Sequence, residues 1–567
     1  MASLTTQAPN TNRLISCSLS WSELPARRQE LDRHWLQLQN DQPALNQLTK
    51  ELTKRQLKNE AINELHLIAY GNSEGFELAG QWIDRSKILH HASELHQWNI
   101  NTLVLWCCEV GHNQELILLL ENLTGAEVFS TPDTLNKSRL STKNRNGKTH
   151  HLLELFDGNT IESWQGNLAW IQVDDEIEGR KKGARNGESV SLSSDGSTLA
   201  IGSWNDRTHK KQQGSVATYK LNSDNEWEQI AVIDGDHKGD RFGSSVSLSN
   251  DGTRLAVGAP RDDNGGTNSG TISIYELSGS TWNKLGQTIA GLSNGRAGEA
   301  LELSGDGNTV IFGSVKKYSN KGFAGIYTWN GTSWNQVGSN ILGIGKEHSG
   351  SSVSISEDGN RIAIGSPRFN SFGINKGRVR VYDKVNNSWS LKFSITGEAA
   401  EDRSGSSISL SDDGNILAIG AWGNNGSGNN SGHVRVYDIS GTEKVKLGSD
   451  IDGAKGGDRF GSSISLSSNG KRLAVGAQFG DGAAKDSGIV NIYEYQNSND
   501  TWTQVGSSLE GEAAGDRATH SVGNSGVSLS GDGQSVAVGA QWHDGTAGTN
   551  SGHTRICLLY TSPSPRD

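Results

Sequence analysis

Two patterns of hydrophobic positions divide the chain near residue 163. Before it, leucines recur at helical spacing and alternate with short apolar runs at 65–70, 103–108 and 126–130. After it, apolar residues alternate with serine around Asp-Gly turns, as in Val246 and Leu248 before Asp251. The first pattern predicts helices at 22–40, 84–97 and 113–123 between parallel strands. The second predicts β-hairpins.

The hairpin pattern recurs seven times. Its turns lie 52 to 63 residues apart, at Asp195-Gly196, Asp251-Gly252, Asp306-Gly307, Asp358-Gly359, Asp413-Gly414, Asn469-Gly470 and Asp532-Gly533. Most repeats continue with a strand of the form S-G-x-V-x-V-Y and a fourth short strand that carries Trp227, Trp282, Trp334, Trp389 or Trp502. Four antiparallel strands in about 55 residues form one blade, so the repeats predict a seven-bladed β-propeller.

The ends of the repeat region predict how the ring closes. The seventh repeat has three strands, and a match to the missing fourth strand, Trp170 to Val173, lies before the first repeat. We expect this strand to join the last blade, since closure removes exposed strand edges. The last eleven residues, 557–567, resemble the translation of a sequencing adapter, and we interpret them as an artefact. The alternative is an array with further repeats beyond this point.

The repeats resemble the FG-GAP family of integrin-type propellers. The resemblance rests on F-G-S-S-V at 242–246 with A-V-G-A-P at 256–260, and on F-G-S-S-I at 460–464 with A-V-G-A at 474–477. It implies a binding or adhesion role. The family's calcium loop is an acidic insert, whereas the Asp-Gly turn here is too short to supply the 6–8 oxygen ligands that Ca²⁺ requires. We therefore predict no calcium there, no other metal and no cofactor; a calcium-dependent adhesin is the alternative.

Two groups of residues are candidates for a binding rim. Six residues follow the L-A-V-G strands at near-equivalent positions: Trp204, Arg261, Arg368, Trp422, Phe479 and Trp542. We expect these residues to bind a ligand on one face of the propeller; the alternative is that they pack between neighbouring blades. The motif G-D-R-F-G at 239–243 and 457–461, matched by Asp402-Arg403 and Asp516-Arg517, is interpreted as a charged rim or as a repeated structural ion pair.

The head, 1–163, resembles the bacterial domain of unknown function family 4347, which is similar to clan CD cysteine peptidases. The resemblance is carried by A-Y-G at 69–71, C-C-E-V-G at 107–111 and D-G-N-T-I at 157–161. It implies a caspase-like three-layer α/β sandwich with Cys108 at the nucleophile position and Tyr70 at the base position. A thiol needs a base or cation to become a thiolate at neutral pH, and a phenol with a pKa near 10 does not replace histidine. The missing base argues against an active peptidase.

Composition narrows the function further. Hydrophobic residues make up 33% of the chain, without an apolar run long enough for a membrane helix, and the net charge of −11 gives no basic surface for nucleic acid. No secretory signal is visible at the N-terminus.

These observations favour a non-catalytic extracellular or cell-surface protein. In this hypothesis the propeller, 164–556, recognises a protein or a glycan, and the head is a degenerate peptidase domain. The alternative is a cysteine endopeptidase or self-processing protein that uses Cys108. The ligand and the oligomeric state are left open.

Overall fold

A computed structural model describes residues 13–17, 35–37, 44–57, 64–68, 70–72, 75–78, 81–95, 98, 100–106, 114–124, 126–130, 141–143, 149–151, 169–172, 176–222, 226–370, 374–519 and 526–560. The chain divides into two compact units. One comprises Met1–Ala169 with Tyr560–Asp567, and the other comprises Trp170–Leu559.

The first unit contains a parallel sheet with helices. Its helices are α1 (Ala44–Leu57), α2 (Arg85–His90), α3 (Ala92–Leu95) and α4 (Gln114–Thr124). Its strands are β1 (Arg13–Cys17), β2 (Trp35–Gln37), β3 (Glu64–Ile68), β4 (Tyr70–Asn72), β5 (Gly75–Leu78), β6 (Gln81–Asp84), β7 (Thr102–Trp106), β8 (Glu127–Phe129), β9 (Ser141–Lys143) and β10 (Thr149–His151). The parallel sheet has the order β2-β1-β3-β7-β8, and β4-β5-β6 and β9-β10 form small antiparallel sheets.

Leucines and aliphatic residues from the sheet and the helices form one core in this unit. It includes Leu52 of α1, Leu65 of β3, Leu103 of β7 and Leu116 of α4, each at most 1% exposed. The indole of Trp98 donates a hydrogen bond of 2.8 Å to Thr49 within it. The short apolar runs of the sequence therefore lie in strands buried under amphipathic helices.

The structure places the head's predicted residues as follows. The predicted helix at 22–40 is wrong at its end, because Trp35–Gln37 is a strand that pairs with β1; residues 18–34 lie outside the described residues. Tyr70 begins the antiparallel strand β4 rather than ending β3. Cys108 lies outside the described residues. The caspase-like relationship stays a prediction.

The second unit is a seven-bladed β-propeller. The first blade consists of β13 (Ser189–Leu192), β14 (Thr198–Ser203), β15 (Ser215–Leu221) and β16 (Trp227–Asp234), and the second of β17 (Ser245–Leu248), β18 (Arg254–Ala259), β19 (Thr271–Ser278), β20 (Thr281–Lys284) and β21 (Ile289–Ala290). The third blade consists of β22 (Leu301–Leu303), β23 (Thr309–Gly313), β24 (Phe323–Trp329), β25 (Trp334–Gln336) and β26 (Ile341–Leu342). The fourth consists of β27 (Ser352–Ile355), β28 (Arg361–Ser366), β29 (Arg378–Val385) and β30 (Ser388–Thr396). A single turn, α5 (Lys317–Asn320), follows β23.

The remaining three blades complete the ring. The fifth blade consists of β31 (Ser407–Leu410), β32 (Ile416–Ala421), β33 (His433–Asp438), β34 (Val445–Lys446) and β35 (Ile451–Asp452). The sixth consists of β36 (Phe460–Leu466), β37 (Arg472–Ala477), β38 (Ile489–Gln496), β39 (Thr501–Gln504) and β40 (Leu509–Glu510). The seventh consists of β41 (Val527–Leu529), β42 (Ser535–Ala540) and β43 (His553–Tyr560), together with β11 (Ala169–Gln172) and β12 (Ile177–Glu178).

The last blade is closed by the N-terminal strand. β11 and β12 both pair with β43, which gives the seventh blade its outer strand from the other end of the repeat region. The indole of Trp170 in β11 donates to the carbonyl of Val505 in the sixth blade at 2.9 Å. Trp334 and Trp502 donate in the same way to the blades before them. The closing strand therefore takes the place of an ordinary fourth strand.

β43 extends four residues into the segment interpreted as an adapter. Cys557 is 4% exposed, stands where other repeats have tyrosine, and has its pKa raised to about 11 by burial. The origin of residues 557–567 stays a prediction.

The serines of the repeat join neighbouring blades. The first serine of an inner strand donates to a glycine carbonyl of the next blade, as Ser189 does to Gly243 at 3.0 Å. The second accepts from a backbone N–H of the next blade, as Ser191 does from Leu248 at 3.0 Å. Small polar side chains suit these positions, because seven inner strands converge there and buried polar groups need partners.

The Asp-Gly hairpins close a ring of their own. The residue before each turn aspartate or asparagine donates its backbone N–H to the next blade, except in the third blade, where the donor is the turn aspartate itself. The distances from backbone nitrogen to carbonyl oxygen are 2.7–3.4 Å. In order around the ring, these hydrogen bonds connect Ser194, Asn250, Gly305 with Asp306, Glu357, Asp412, Ser468 and Gly531, and the last one returns to Ser194. This continuous hydrogen-bonded circle fixes the seven hairpins at one end of the inner strands.

Candidate binding site at the rim of the propeller

At the opposite end of the inner strands, the same backbone position carries a basic residue in every blade. These seven residues, here called the rim ring, are Arg185, Arg241, Arg296, His348, Arg403, Arg459 and Arg517. All have φ between 50° and 65°. A left-handed conformation is uncommon outside glycine and costs about 1 kcal/mol or more per residue, so its recurrence with long cationic side chains points to a use for those side chains.

Most of the rim ring is stacked on aromatic rings. Measured from the guanidinium carbon to the ring centroid, Arg241 lies 4.2 Å from Trp204, and Arg185 lies 3.4 Å from Trp542 and 5.9 Å from Trp204. The pattern continues around the fifth to seventh blades at 4.3–5.3 Å. The resulting arc alternates nine residues: Arg241, Trp204, Arg185, Trp542, Arg517, Phe479, Arg459, Trp422 and Arg403.

Stacking on an aromatic face fixes the plane of each guanidinium group. Cation–π contacts of this kind contribute about 0.5–2 kcal/mol each. The Nε atoms of Arg185, Arg241 and Arg517 are buried without a hydrogen-bond partner. Buried donors normally have partners, so these arginines are poised to receive an acceptor.

The arc carries excess positive charge. Arg296 pairs with Glu299 at 3.3 Å and Arg403 with Glu401 at 3.4 Å. Among the described residues, Arg185, Arg241, Arg459 and Arg517 form no ion pair within 4 Å.

The electrostatic consequence is visible in the pKa values of these arginines. Burial, together with the charges of Arg261 and Arg296, lowers the pKa of Arg241 to about 10. Burial also lowers the pKa of Arg459, with Arg403 and Arg517 adding to the effect. The guanidinium groups stay charged at neutral pH and repel one another, so an anion placed among them is favoured.

A pocket of about 220 Å³ opens where the seventh, first and second blades meet. It is lined by Arg185, Glu188, Trp204, Arg241, Ser244, Pro260, Glu299, Gln541 and Trp542. Burial raises the pKa of Glu299, against the lowering effect of Arg296. The pocket therefore offers guanidinium donors beside two carboxyl groups, which suits a ligand with an acidic group and hydroxyls.

Comparisons with known proteins bear on both units. Residues 227–275 match the FG-GAP repeat, and residues 21–143 match DUF4347, a domain of unknown function. The second unit is thus a seven-bladed propeller in which one segment matches the FG-GAP repeat. Similar solved structures include putative 6-phosphogluconolactonases from Bacteroides uniformis and Bacteroides fragilis, at 13% and 12% identity and a TM-score of 0.41 each. Each covers 57% of this chain, which covers 85% and 83% of them. No curated protein matches, and no described helix is long and apolar enough to cross a bilayer.

The propeller brings four of the six predicted rim residues together. Trp204, Trp422, Phe479 and Trp542 lie in the stacked arc. Arg261 and Arg368 are not part of the stacked arc, and their backbone N–H groups donate to the carbonyls of Asp240 and Glu347 at 3.1 and 3.2 Å. Burial, together with the charges of Arg368 and Lys316, lowers the pKa of His348 to about 4.

The aspartate and the arginine of the Asp-Arg motif contact different partners. Asp402 accepts backbone N–H groups from Glu398 and Ala399 at 2.9 and 2.6 Å, whereas Arg403 stacks on Trp422. Among the described residues no ion pair joins the two members of the motif, so the structural ion-pair interpretation is wrong.

Three members of the rim ring were missed by sequence reasoning: Arg185, Arg296 and His348. The available signal was a basic residue two positions before the first glycine of an inner-strand segment, which recurs in six repeats.

Proposed function

We propose that this protein is a non-catalytic binding or adhesion protein of the cell exterior, and that its FG-GAP propeller binds an anionic group at the rim ring. The carrying observation is the arc of nine alternating arginine and aromatic side chains. The FG-GAP repeat supports the binding role and the extracellular location.

The arginines favour carboxylate, sulfate or phosphate groups. A guanidinium presents its N–H groups in a planar fork that matches such oxyanions bidentately. Stacking on Trp422 and Phe479 holds Arg459 in place before binding, which reduces the entropy lost on association. Adjacent guanidinium groups without ion pairs also avoid the cost of breaking an internal pair.

The ligand carries several acidic groups in a row. Single anions fit one guanidinium, whereas the arc extends over five blades. A glycan with uronic acid or sulfate groups, or a protein segment rich in aspartate and glutamate, presents charges with such a spacing.

Binding of the full chain to matched pairs of polymers tests the proposal. We expect polyuronates and sulfated glycans, or poly-glutamate, to bind, and carboxyl-reduced or desulfated counterparts not to bind. Affinity falls as salt rises, because exposed charges are screened. Preference for the glycans or for the polypeptide decides between the two sources.

A pair of variants locates the site. Arg459→Gln is expected to weaken binding about tenfold or more, since a charge-assisted hydrogen bond contributes about 1.5–3 kcal/mol. Lys471→Gln, in an exposed position at the hairpin end, removes the same charge and is expected to leave affinity unchanged. Equal weakening by both variants, or equal binding of charged and neutral polymers, contradicts the proposal.

The peptidase alternative has no observation in its favour among the described residues. Cys108 lies outside them, and Tyr70 occupies the position that the resemblance assigns to a base. This alternative stays a prediction.

A further inference from the structure

Two histidines and two glutamates converge where the propeller ring closes. Glu176 lies directly before β12 in the N-terminal closing segment. Glu512 lies between the sixth and seventh blades, and His543 and His553 belong to the seventh blade. One donor atom of each lies within 4.8 Å of the others. The two imidazole rings stack with centroids 4.0 Å apart.

The buried histidine of this cluster has an unused donor atom. His553 is 0% exposed, and its Nδ1 lies 2.8 Å from a carboxylate oxygen of Glu176. Its Nε2 is buried without a hydrogen-bond partner. Burial, with the charges of His543 and Arg555, lowers the pKa of His553 to about 3.

The other members are arranged in the manner of ligands and their supports. Asp516, itself 3% exposed, lies 3.1 Å from Nδ1 of His543, and a carboxylate that orients a ligating histidine in this way is typical of metal centres. Glu512 forms a hydrogen bond with Glu176, which raises the pKa of Glu512. Two carboxylates at such a short distance repel each other, so the pair is favoured when it shares a proton or binds a cation. Arg555 lies 3.5 Å from Glu512, so this carboxylate also has an ion-pair partner in the protein.

The same location in other blades contains a cation supplied by the protein. In the first blade Arg180, at the position equivalent to Glu512, pairs with Asp206 at 2.6 Å and Asp234 at 2.7 Å. In the fourth blade Arg378, at the position equivalent to His553, pairs with Glu347 at 2.7 Å. The seventh blade instead has His543 at the position of Asp206 and His553 at the position of Arg378, with Glu176 and Glu512 beside them.

The fifth blade has an incomplete version of the cluster. His433 is buried at the position of His553, also with an unpartnered Nε2, near Glu398 and Asp450. Asn424 stands there in place of His543 and donates to Asp402. The seventh blade alone adds a second histidine to this arrangement among the described residues.

We propose that Glu176, Glu512, His543 and His553 bind a divalent transition-metal ion of the Zn²⁺ class, which links the N-terminal closing segment to the last blade. Two imidazole nitrogens and two carboxylate oxygens match the ligands and the four-coordinate geometry that Zn²⁺ prefers. Bonds of about 2.0–2.1 Å place tetrahedral donors about 3.3 Å apart, so the four side chains draw in by about 1.5 Å at most.

This site is distinct from the turn in which calcium was considered. The Asp-Gly turn of each hairpin uses its own aspartate for hydrogen bonds within the turn, as Asp251 does with Ser249 and Thr253. The proposed ion instead joins three separate segments of the chain. Because it binds only when β12 and β43 are paired, it stabilises the closed ring.

Metal titration of the full chain after dialysis against EDTA tests the proposal. We expect about one equivalent of Zn²⁺ to bind and the melting temperature to rise with it. Co²⁺ in place of Zn²⁺ should give the visible d–d absorption of a four-coordinate nitrogen and oxygen site, without the thiolate charge-transfer band that the chain's cysteines would produce.

Three variants locate the ion. His543→Asn introduces the residue of the fifth blade and is expected to weaken Zn²⁺ affinity tenfold or more, as is Glu512→Gln. Both positions are partly accessible, so the variants are expected to fold. His237→Asn, at an exposed histidine near Asp240 and Asp262, is the control and should bind as the parent does. Failure to bind an equivalent, binding that survives both variants, or a thiolate band overturns the proposal.

Discussion

Glu302 gives the third blade a pH-dependent contribution to stability that the serines at the same position of the other blades do not make. Six inner strands carry serine at this position, whereas the third carries Glu302, which accepts hydrogen bonds from Ser354 at 3.2 Å and from the backbone of Ile355 at 3.4 Å. The pKa of Glu302 is raised from 4.5 to about 8, mainly by burial; the hydrogen bonds from Ile355 and Ser354 offset part of the rise, and the charge of Asp412 adds to it.

The sign and the size of the effect follow from this shift. A carboxyl group whose pKa is higher in the folded state stabilises that state below pH 4.5, and this contribution is lost as the pH rises through about 8. The full difference corresponds to about 5 kcal/mol, at 1.36 kcal/mol per unit. Because the residue is only half-buried by surface area, water screens part of this cost, and we expect about 1–3 kcal/mol.

Thermal unfolding of the parent protein and of Glu302→Gln at pH 5 and pH 9 measures this contribution of Glu302 to stability. At pH 5 the two proteins are expected to melt close together, and at pH 9 the variant should melt several degrees higher, since it has no buried charge. Glu443→Gln, at an exposed position, is the control and should show no such gain. A difference between Glu302→Gln and the parent that is the same at both pH values would refute the reasoning.

Three further predictions concern the turns, the glycines and the closing strand of the propeller. Asp251→Ala should lower the free energy of unfolding by about 1–2 kcal/mol, because the turn loses the hydrogen bonds of this carboxylate. Asp251→Asn should be nearly neutral, because Asn469 makes the same hydrogen bonds in the sixth blade. Chemical denaturation of both variants measures the difference. Gly258→Ala should prevent normal folding, since a Cβ there would lie 2.2 Å from a carbonyl of the next blade, while Gly441→Ala, with no contact under 3.6 Å, should fold normally by circular dichroism. Trp170→Ala should cost about 3–5 kcal/mol and open the ring, which limited proteolysis would detect as early cleavage before residue 189.

The sequence was sufficient to predict the propeller, because its cause is local and repeated. Each Asp-Gly turn and each alternating strand predicts its own hairpin, and seven copies leave one plausible arrangement. The closing strand was predictable for the same reason, since Trp170 matches Trp502 in its context. The head offered less, because a three-residue strand such as Trp35–Gln37 has no pattern distinct from a helix turn.

The candidate site was predicted only in part. Aromatic residues such as Trp422 were recognised from their position after the inner hairpin, but their partners were not. Arg459 contacts both Trp422 and Phe479 only because the loops of two blades meet at the rim. A sequence places those loops about 55 residues apart and does not show that they touch. The cluster of Glu176 and His553 was missed for the same reason, since its members come from opposite ends of the repeat region.

The departures from the repeat therefore carry more functional information than the repeat. Where the blades agree, as in the serines of the inner strands, side chains hold neighbouring blades together. Where they differ, each difference has a local chemical consequence: Glu302 introduces a buried acid, and His543 completes a ligand set that Asn424 leaves incomplete. Aromatic residues at the rim occur beside the arginines of the fifth, sixth, seventh and first blades, whereas Val315 and Pro367 stand at the corresponding positions of the third and fourth. We therefore expect a ligand to engage the fifth-to-second-blade arc and to leave the third and fourth blades uncovered, so that protection from hydrogen exchange on binding should be confined to that side.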